Sequence, residues 1–197
     1  MSNTIALFDF DGTITTKDTL FDFIQFSFGK QRLVKGIIYL SPILALYTTN
    51  FIDNNLAKQY LFKYFFSGIS VEELKHFGNR YTNERINKII RPESIERINW
   101  HKKNNHQITI VSASLEYWLM PWCEKMELNL ISTKLEIINN KFTGNYYGKN
   151  CHGKEKVNRI KEIYDLNKFD LIYAYGDSLG DKQMLEIANK TFYKPFR

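Results

Sequence analysis

The sequence is poor in the residues that several classes of site and scaffold require. Its two cysteines, Cys123 and Cys151, lack metal-ligand spacing, so we expect small packing residues in a reducing compartment. Its four histidines form no HxxxH-type pair, which argues against a zinc site. The first apolar strand follows Met1-Ser2-Asn3 directly, so we expect no secretory signal peptide. These absences predict a cytoplasmic protein.

Long apolar runs are also missing. The most apolar stretch, residues 36–47, is shorter than the roughly 20 residues that span a bilayer, and Pro42 would kink it. It is preceded by three basic residues, Lys30, Arg32 and Lys35. Two interpretations stay open: a buried helix, or peripheral contact with an anionic membrane, which the net charge of +6 favours. No dense basic run exists beyond Lys102-Lys103, so nucleic acid is not an expected partner.

The most informative segment is Ala6–Thr15, where an apolar strand runs into Asp9-Phe10-Asp11-Gly12. Side chains at i and i+2 of an extended segment project to the same side, so Asp9 and Asp11 face one space. Two such carboxylates, with an ordinary pKa of about 3.9, stay ionised together only beside a cation or hydrogen-bond donors. At a divalent metal, one could attack a phosphoryl group while the other transfers protons. The alternative is a polar Asp-Gly turn.

Two later apolar runs end in polar residues. Ile108–Ser114 carries Ser112 at the end of a predicted strand, where its hydroxyl could donate to a phosphoryl oxygen. In Leu171–Asp181, an apolar run is followed by a second acidic pair, Asp177 and Asp181. The alternatives are turn residues after a strand, or carboxylates at a helix N-terminus.

A lysine-containing segment, Cys151–Val157, precedes the last strand. Apolar residues recur at helical spacing after it, which places Lys156 in the first turn of a helix. Lys154, two residues earlier, is predicted to be a solvated helix end. The stretch Gly148–Lys154 matches the start of a nucleotide-binding loop, but Glu155 stands where Ser or Thr would bind magnesium, so we reject that interpretation.

Together these segments resemble the four motifs of the haloacid dehalogenase superfamily: DFDGTIT, the strand ending at Ser112, the lysine of a Cys-x-Gly-x-x-Lys pattern, and GDSxxD. The resemblance implies an α/β fold, a doubly wound (Rossmann-like) parallel sheet with an inserted α-helical type 1 cap, as in the phosphoserine phosphatase-like subfamily IB. It implies a Mg²⁺-dependent phosphomonoester hydrolase that acts through an aspartyl-phosphate on a small phosphorylated metabolite.

The resemblance also implies roles for single residues. Asp9 would be the nucleophile and a metal ligand, and Asp11 the acid and base, with its main-chain oxygen on the metal. The remaining roles are phosphoryl binding by Ser112 and Lys156, with Ala113 beside the substrate, metal binding by Asp177, and ordering of the metal loop by Asp181. Asp18 lies nine residues after Asp9, where phosphoserine-specific members carry a substrate-binding Glu. A helix-capping Asp is the alternative there.

The predicted organisation is a core of residues 1–16 and 98–197 and a helical cap of residues 17–97. With 197 residues, 44% of them hydrophobic, the chain can bury one core and a smaller inserted unit. Core strands are expected near residues 4–9, 107–112, 128–132 and 170–175, with an edge strand at 191–193 and a hairpin within 133–148. Cap helices are expected near residues 20–28, 56–66, 71–83 and 84–90, the first beginning in a capping box of Thr19 and Asp22.

Substrate choice stays open between classes. The apolar stretch and the third motif also resemble phosphatidylglycerophosphatase C, so a lipid phosphate at a membrane surface is the second substrate class. A phospho-accepting receiver-like signalling domain is the non-enzymatic alternative. Candidates to bind an anionic substrate tail are Lys30, Arg32, Lys35, Arg80 and Arg85. The oligomeric state is not predicted.

Overall fold

The computed structural model describes residues 3–197. Its strands are β1 (Thr4–Phe8), β2 (Gln107–Leu115), β3 (Asn129–Thr133), β4 (Leu135–Ile138), β5 (Lys141–Tyr146), β6 (Leu171–Gly176) and β7 (Lys190–Tyr193). Five of them form one parallel sheet in the order β3-β2-β1-β6-β7. The predicted strands, including the edge strand, are therefore confirmed.

The first strand lies in the middle of the sheet because it is apolar on both faces. Its last four residues, from Ile5 to Phe8, are fully buried, as expected of a parallel strand covered by helices on both sides. Phe8 pairs with Ile110 of β2 and with Tyr175 of β6. The carboxyl ends of three strands consequently reach the same edge of the sheet, which is where doubly wound folds bind ligands.

The longer helices are α1 (Thr19–Tyr39), α2 (Ser41–Thr48), α3 (Asn54–Phe66), α4 (Val71–Glu84), α5 (Pro92–Lys103), α6 (Glu116–Lys125), α7 (Lys154–Ile163) and α8 (Lys182–Glu186). The insertion between β1 and β2 is helical, as predicted. The helix predicted over residues 84–90 is wrong, because α4 ends at Glu84 and only a 3-10 turn, Ile86–Lys88, follows. The division into a cap of residues 17–97 and a core stays a prediction.

Helix α1 begins and bends differently from the prediction. The capping box of Thr19 and Asp22 is wrong: Asp18 is the N-cap and accepts from the Leu20 amide, while Asp22 pairs with Arg85 at 2.6 Å. Gly29 interrupts the helix with a φ of +82°, a conformation that glycine adopts at little cost.

The apolar stretch at residues 36–47 is not a buried helix. Pro42 stands in the first turn of α2, where a missing amide costs nothing, so the chain breaks between two helices instead of kinking one. None of the residues of α2 is buried. Among the residues from 3 to 197, no helix is both long and apolar enough to cross a bilayer.

Aromatic packing joins the inserted helices to the sheet domain. Trp118 of α6 stacks on Phe23 of α1, with ring centroids 4.5 Å apart. The ring of Phe66 of α3 also stacks on Trp118, at a centroid distance of 6.0 Å. The predicted hairpin is confirmed as β4 and β5, whose connecting residues Asn139 and Asn140 both have positive φ, as a tight hairpin turn requires. Helix α3 packs on β5 of this hairpin, and its Lys58 donates to the Ala113 carbonyl of β2.

Candidate active site

Three strand ends bring the predicted site residues together. Asp9 directly follows β1, Asp177 directly follows β6, and Ser112 lies near the end of β2. The amide of Asp9 donates to the Tyr175 carbonyl at 2.9 Å, which extends the sheet pairing into the motif. Because the strands are parallel, residues from three distant parts of the chain lie on one edge.

A buried ion-pair triad forms the centre of the site. The Lys156 ammonium donates to Asp9 Oδ1 at 2.6 Å, to Asp181 Oδ1 at 2.7 Å and to the Val111 carbonyl at 2.7 Å. All three protons of this ammonium are therefore used, and the side chains involved are buried. Lys154 is exposed at the start of α7, so the contacts agree with the choice of Lys156, which the resemblance to the Cys-x-Gly-x-x-Lys pattern indicated.

The loop after β6 is fixed by Asp181. Its Oδ2 accepts from the Asp177 amide, the Ser178 amide and the Ser178 hydroxyl, at 2.8–3.1 Å. The hydroxyl of Ser178 in turn accepts from the Gly180 amide at 3.2 Å. Both carboxylate oxygens of Asp181 are thus engaged within the protein, and they set the conformation from which Asp177 projects.

Gly12 allows the two acidic motifs to approach each other. Its φ is +82°, and a Cβ atom there would lie 2.5 Å from Asp177 Oδ2. Glycine tolerates this conformation, whereas any other residue would be strained and would collide with the carboxylate. The glycine of the first motif is therefore required by the position of Asp177.

Asp11 is held by donors from the insertion and from β2. Its Oδ1 accepts from the Thr19 amide at 2.7 Å, and its Oδ2 accepts from the Ser114 hydroxyl at 2.6 Å. The Ser112 hydroxyl is buried and lies 3.4 Å from the same oxygen. Ser112 is thus next to the acidic pair, while Ser114, which the sequence did not single out, makes the shorter contact.

Burial and neighbouring charges set the protonation of these groups. Burial, together with the carboxylates of Asp181 and Asp11, raises the pKa of Asp9 to about 7 despite Lys156. Burial alone would lower the pKa of Lys156, but Asp9 and Asp181 outweigh it and raise that pKa, so the ammonium keeps its charge. Burial and the Asp181 charge raise the pKa of Asp177. The ionised forms of Asp9 and Asp177 are therefore destabilised by burial and by the neighbouring carboxylates.

The donor set fits a hard divalent cation such as Mg²⁺. One carboxylate oxygen from each of Asp9, Asp177 and Asp181 lies within 4.8 Å of the others. Oxygen atoms are the ligands that Mg²⁺ prefers in proteins. Asp181 Oδ2 accepts three hydrogen bonds, whereas each oxygen of Asp9 accepts only one. Asp9 and Asp177 therefore keep more acceptor capacity for a cation, and Asp181 fits a positioning role better.

A cavity of about 510 Å³ opens beside the acidic cluster and below the inserted helices. Asp9, Asp11, Lys156 and Asp177 line its floor, together with Ala113. Its upper wall consists of apolar residues from the insertion, among them Leu20, Phe21, Leu44, Tyr47, Ala57 and Leu61. The cavity is therefore anionic at one end and apolar at the other.

Asp18 fulfils the capping interpretation and also lines this cavity. Its Oδ1 accepts from the Leu20 amide at 2.8 Å, which uses one oxygen for the start of α1. Burial and the nearby Asp11 raise the pKa of Asp18. Its role toward a substrate stays a prediction.

The cation that the insertion supplies to the cavity is Lys58. Its ammonium donates to the Ala113 carbonyl at 2.8 Å, and burial lowers its pKa, opposed by the charges of Asp18 and Asp11. Sequence reasoning missed Lys58 because α3 carries no motif, and only helix packing brings it over the strand edge.

The basic residues proposed from the sequence lie elsewhere. Arg85 pairs with Asp22, Arg80 pairs with Glu84, and Arg32 donates to the Phe65 carbonyl. Within the part of the chain from residue 3 to 197, none of the five candidates lines the cavity.

A second cation that the sequence did not reveal is Arg197. Its guanidinium lies 2.5 Å from Asp177 Oδ2 and 3.3 Å from the Gly12 carbonyl. Arg197 is distant in sequence from every motif, so no local pattern indicated this contact.

Comparison with known sequences identifies a family and several relatives. The family model for haloacid dehalogenase-like hydrolases matches residues 6–186. Protein CicA of Caulobacter vibrioides is 29% identical over 98% of this chain and 86% of its own length. A probable phosphatase of Mycobacterium tuberculosis is 25% identical over 94% of this chain and 66% of its own length.

Solved structures share the fold at low sequence identity. A protein of unknown function from Bordetella pertussis Tohama I superposes with a TM-score of 0.82 at 20% identity, covering 97% of this chain and 89% of its own. A substrate-bound phosphoserine phosphatase superposes with a TM-score of 0.69 at 15% identity, covering 98% and 86%. These similarities support the doubly wound fold with its helical insertion.

Proposed function

We propose that this chain, which belongs to the haloacid dehalogenase-like hydrolase family, is a Mg²⁺-dependent phosphatase that cleaves phosphate monoesters through an aspartyl-phosphate on Asp9. The observation that carries the proposal is the contact of Lys156 with Asp9 at the floor of a cavity that also holds Asp11 and Asp177. These contacts support the proposal because they bring a buried carboxylate, further carboxylates and a fixed ammonium into one space.

Asp9 is the group placed to attack phosphorus. Lys156 holds its Oδ1 and the Thr13 hydroxyl donates to its Oδ2 at 3.0 Å, so the carboxylate is oriented on both sides. When an oxygen of Asp9 bonds to phosphorus, the ester oxygen leaves and Asp11 gives it a proton. Asp11 then takes a proton from water, which attacks the phosphorus of the aspartyl-phosphate and restores Asp9.

The ammonium of Lys156 supports both steps. It is close enough to Asp9 to stabilise negative charge on the transferred phosphoryl group. Its hydrogen bond to Asp181 fixes its position. Ser112 and the main chain near Ala113 are the proposed hydrogen-bonding partners of that group. Mg²⁺, held by Asp9, Asp177 and the main-chain oxygen of Asp11, would neutralise charge on the phosphoryl oxygens.

The test is hydrolysis of p-nitrophenyl phosphate by the full chain, with Mg²⁺ and after its removal by a chelator. We expect turnover only with the cation. Asp9→Asn should abolish turnover and covalent labelling, because the amide is a far poorer nucleophile. Asp11→Asn should still be labelled, slowly, and should release phosphate slowly.

The same measurements separate an enzyme from a receiver-like domain. A phospho-accepting receiver would be labelled once and would not release product repeatedly. Substantial Mg²⁺-dependent turnover by the Asp9→Asn variant would refute the nucleophile assignment. Replacement of the exposed Asp170 by Asn, a change of the same kind outside the cavity, is the matched control.

A lipid phosphate is the second candidate substrate class, favoured by the apolar wall of the cavity. Leu44 and Tyr47 of α2 and Leu61 of α3 offer apolar surface opposite the acidic cluster. A small polar metabolite would leave these side chains without a partner. Comparison of kcat/KM for phosphoserine, sugar phosphates, nucleotides and phosphatidylglycerophosphate, with and without vesicles, decides between the two classes.

A further inference from the structure

The insertion carries large apolar side chains on its outer surface. Three of them are among the most exposed in the protein: Phe51 at 80%, Tyr39 at 70% and Ile38 at 67%. We use the name apex patch for Ile37, Ile38, Tyr39, Leu46, Tyr47 and Phe51, all of which are exposed. These six residues fall within 15 consecutive positions, from 37 to 51, so the exposure is concentrated in one part of the chain.

The opposite side of the same helix is the one used for packing within the chain. Gly36 lies against α3 so closely that a Cβ atom would come within 2.3 Å of the Phe65 ring. Leu40, at the junction of α1 and α2, is also buried. Five of the eight residues of α2 are apolar, yet none is buried. Gly36 and Leu40 thus pack on the inner side. Within the apex patch, Tyr39 stacks on Tyr64 with ring centroids 5.3 Å apart and the Tyr47 hydroxyl accepts from Asn54, yet all six side chains keep more than a third of their surface exposed.

The charged residues before the apex patch are basic, and the first acidic residue after it, Asp53, caps the start of α3. Residues 30–52 contain Lys30, Arg32 and Lys35 and no Asp or Glu. Lys35 precedes Ile38 by three positions in α1, so the two side chains are neighbours on one helix face. Basic residues beside exposed aromatic and aliphatic ones are the features with which a helix lies in an anionic membrane interface.

The apex patch is continuous with the entrance of the catalytic cavity. Tyr47 belongs to the patch and also lines the cavity, and Leu44, in the same helix, forms part of the cavity wall. A surface that covered the patch would therefore lie against the cavity mouth.

We propose that the apex patch docks on an anionic lipid bilayer, with Phe51, Tyr39 and Ile38 entering the interface and the nearby lysines contacting lipid phosphates. Each buried apolar side chain contributes through the hydrophobic effect, and each basic residue through attraction to the negative surface. Docking does not depend on the proposed phosphatase activity, since none of these three residues lines the cavity.

The test is sedimentation of the full chain with vesicles of phosphatidylcholine and with vesicles that also contain phosphatidylglycerol. We expect binding to the anionic vesicles and weaker binding as salt is added, because salt screens the lysines. Ile38→Glu and Phe51→Glu should each weaken binding by about tenfold or more, because each replaces an apolar side chain that enters the interface by an anion that the negative surface repels.

Ile163→Glu is the matched control, because Ile163 is 58% exposed on α7 and the change in charge is the same. It should leave vesicle binding unchanged. Equal loss in the Ile38→Glu and Ile163→Glu variants, or no binding of the unmodified chain to anionic vesicles, overturns the proposal. Sedimentation velocity without vesicles gives a further result against it: a dimer that Ile38→Glu converts to a monomer would show that a second copy covers the patch.

Turnover of p-nitrophenyl phosphate is measured on the same samples, without vesicles. Turnover without vesicle binding refutes docking and leaves the proposed function intact. Vesicle binding by a chain that shows no turnover refutes the proposed function and leaves docking intact. The Ile38→Glu variant should keep its activity on the soluble substrate, which also shows that it is folded.

Discussion

The Lys156 ammonium lies 2.6 Å from Asp9 Oδ1, although the two residues are 147 positions apart. Both side chains are buried, and the same ammonium also holds Asp181. Removing one partner of a buried pair leaves an uncompensated charge, which costs more than the pair itself contributes. The lysine therefore matters to stability as well as to the proposed chemistry.

We expect Lys156→Gln to lower the free energy of unfolding by about 3–5 kcal/mol, because Asp9 and Asp181 would lose their shared cation. Urea denaturation followed by circular dichroism measures this, and turnover should be lost in the same variant. Lys154→Gln, two residues earlier and exposed, is the control and should change neither quantity. If the two variants behaved alike, the assignment of Lys156 to the site would be wrong.

Gly12→Ala should reduce activity beyond what its backbone strain explains. The substitution costs about 1–2 kcal/mol for a non-glycine residue at positive φ, and its Cβ would also displace Asp177. Gly68→Ala is matched to it, because Gly68 has the same φ of +82° and open space around the Cβ position. Both variants should be destabilised in thermal unfolding, but only Gly12→Ala should weaken Mg²⁺-dependent turnover. Unchanged turnover in Gly12→Ala would argue against Asp177 as a metal ligand.

Lys58→Ala should raise KM more than it lowers kcat. The ammonium lies at the cavity wall, where it can contact the anionic part of a substrate that lies beyond the reacting phosphoryl group. Loss of a hydrogen bond to a charged group, worth roughly 1.5–3 kcal/mol, corresponds to an increase in KM of about tenfold or more. Lys63→Ala, on the same helix and exposed, should leave KM unchanged. A fall in kcat at constant KM would instead place Lys58 in the chemical step.

Stability should fall on acidification through His101. Burial lowers the pKa of this imidazole from 6.5 to about 3, and its neighbours His106 and Arg97 act in the same direction. Below pH 6.5 the His101 imidazole takes up a proton in the unfolded chain but stays neutral in the folded chain. The free energy of unfolding therefore falls between pH 6.5 and pH 3. The slope from one such group is at most about 1.4 kcal/mol per pH unit.

Urea denaturation at several pH values checks this prediction. His101→Gln cannot take up the proton, so its free energy of unfolding should depend less steeply on pH than that of the unmodified chain. His76→Gln, an exposed position, is the control and should keep the steeper dependence. Equal slopes in all three proteins would show that His101 is not the group responsible.

Local patterns predicted the elements that depend on neighbouring residues. The strand positions followed from apolar runs, and the hairpin followed from turn residues that tolerate positive φ. Helical spacing placed Lys156 in the first turn of a helix, and the resemblance to the Cys-x-Gly-x-x-Lys pattern selected it over Lys154.

The start of α1 shows where such reasoning fails. Thr19 and Asp18 are adjacent, and both residue types cap helices well. The tertiary structure decided between them: the Thr19 hydroxyl accepts from the Trp118 indole at 3.0 Å, and its amide donates to Asp11. Its side chain was therefore not available to cap the helix, which Asp18 caps instead.

The sequence by itself determined the four motifs, and their resemblance to one superfamily predicted the parallel sheet and the residues Asp9, Asp11, Asp177 and Lys156, because each motif consists of a few neighbouring residues. Only the tertiary structure decided that Lys58 and Arg197 reach the same site, and that α2 is exposed instead of buried. Such contacts depend on how helices pack across the sheet edge, and that packing has no local pattern in the chain.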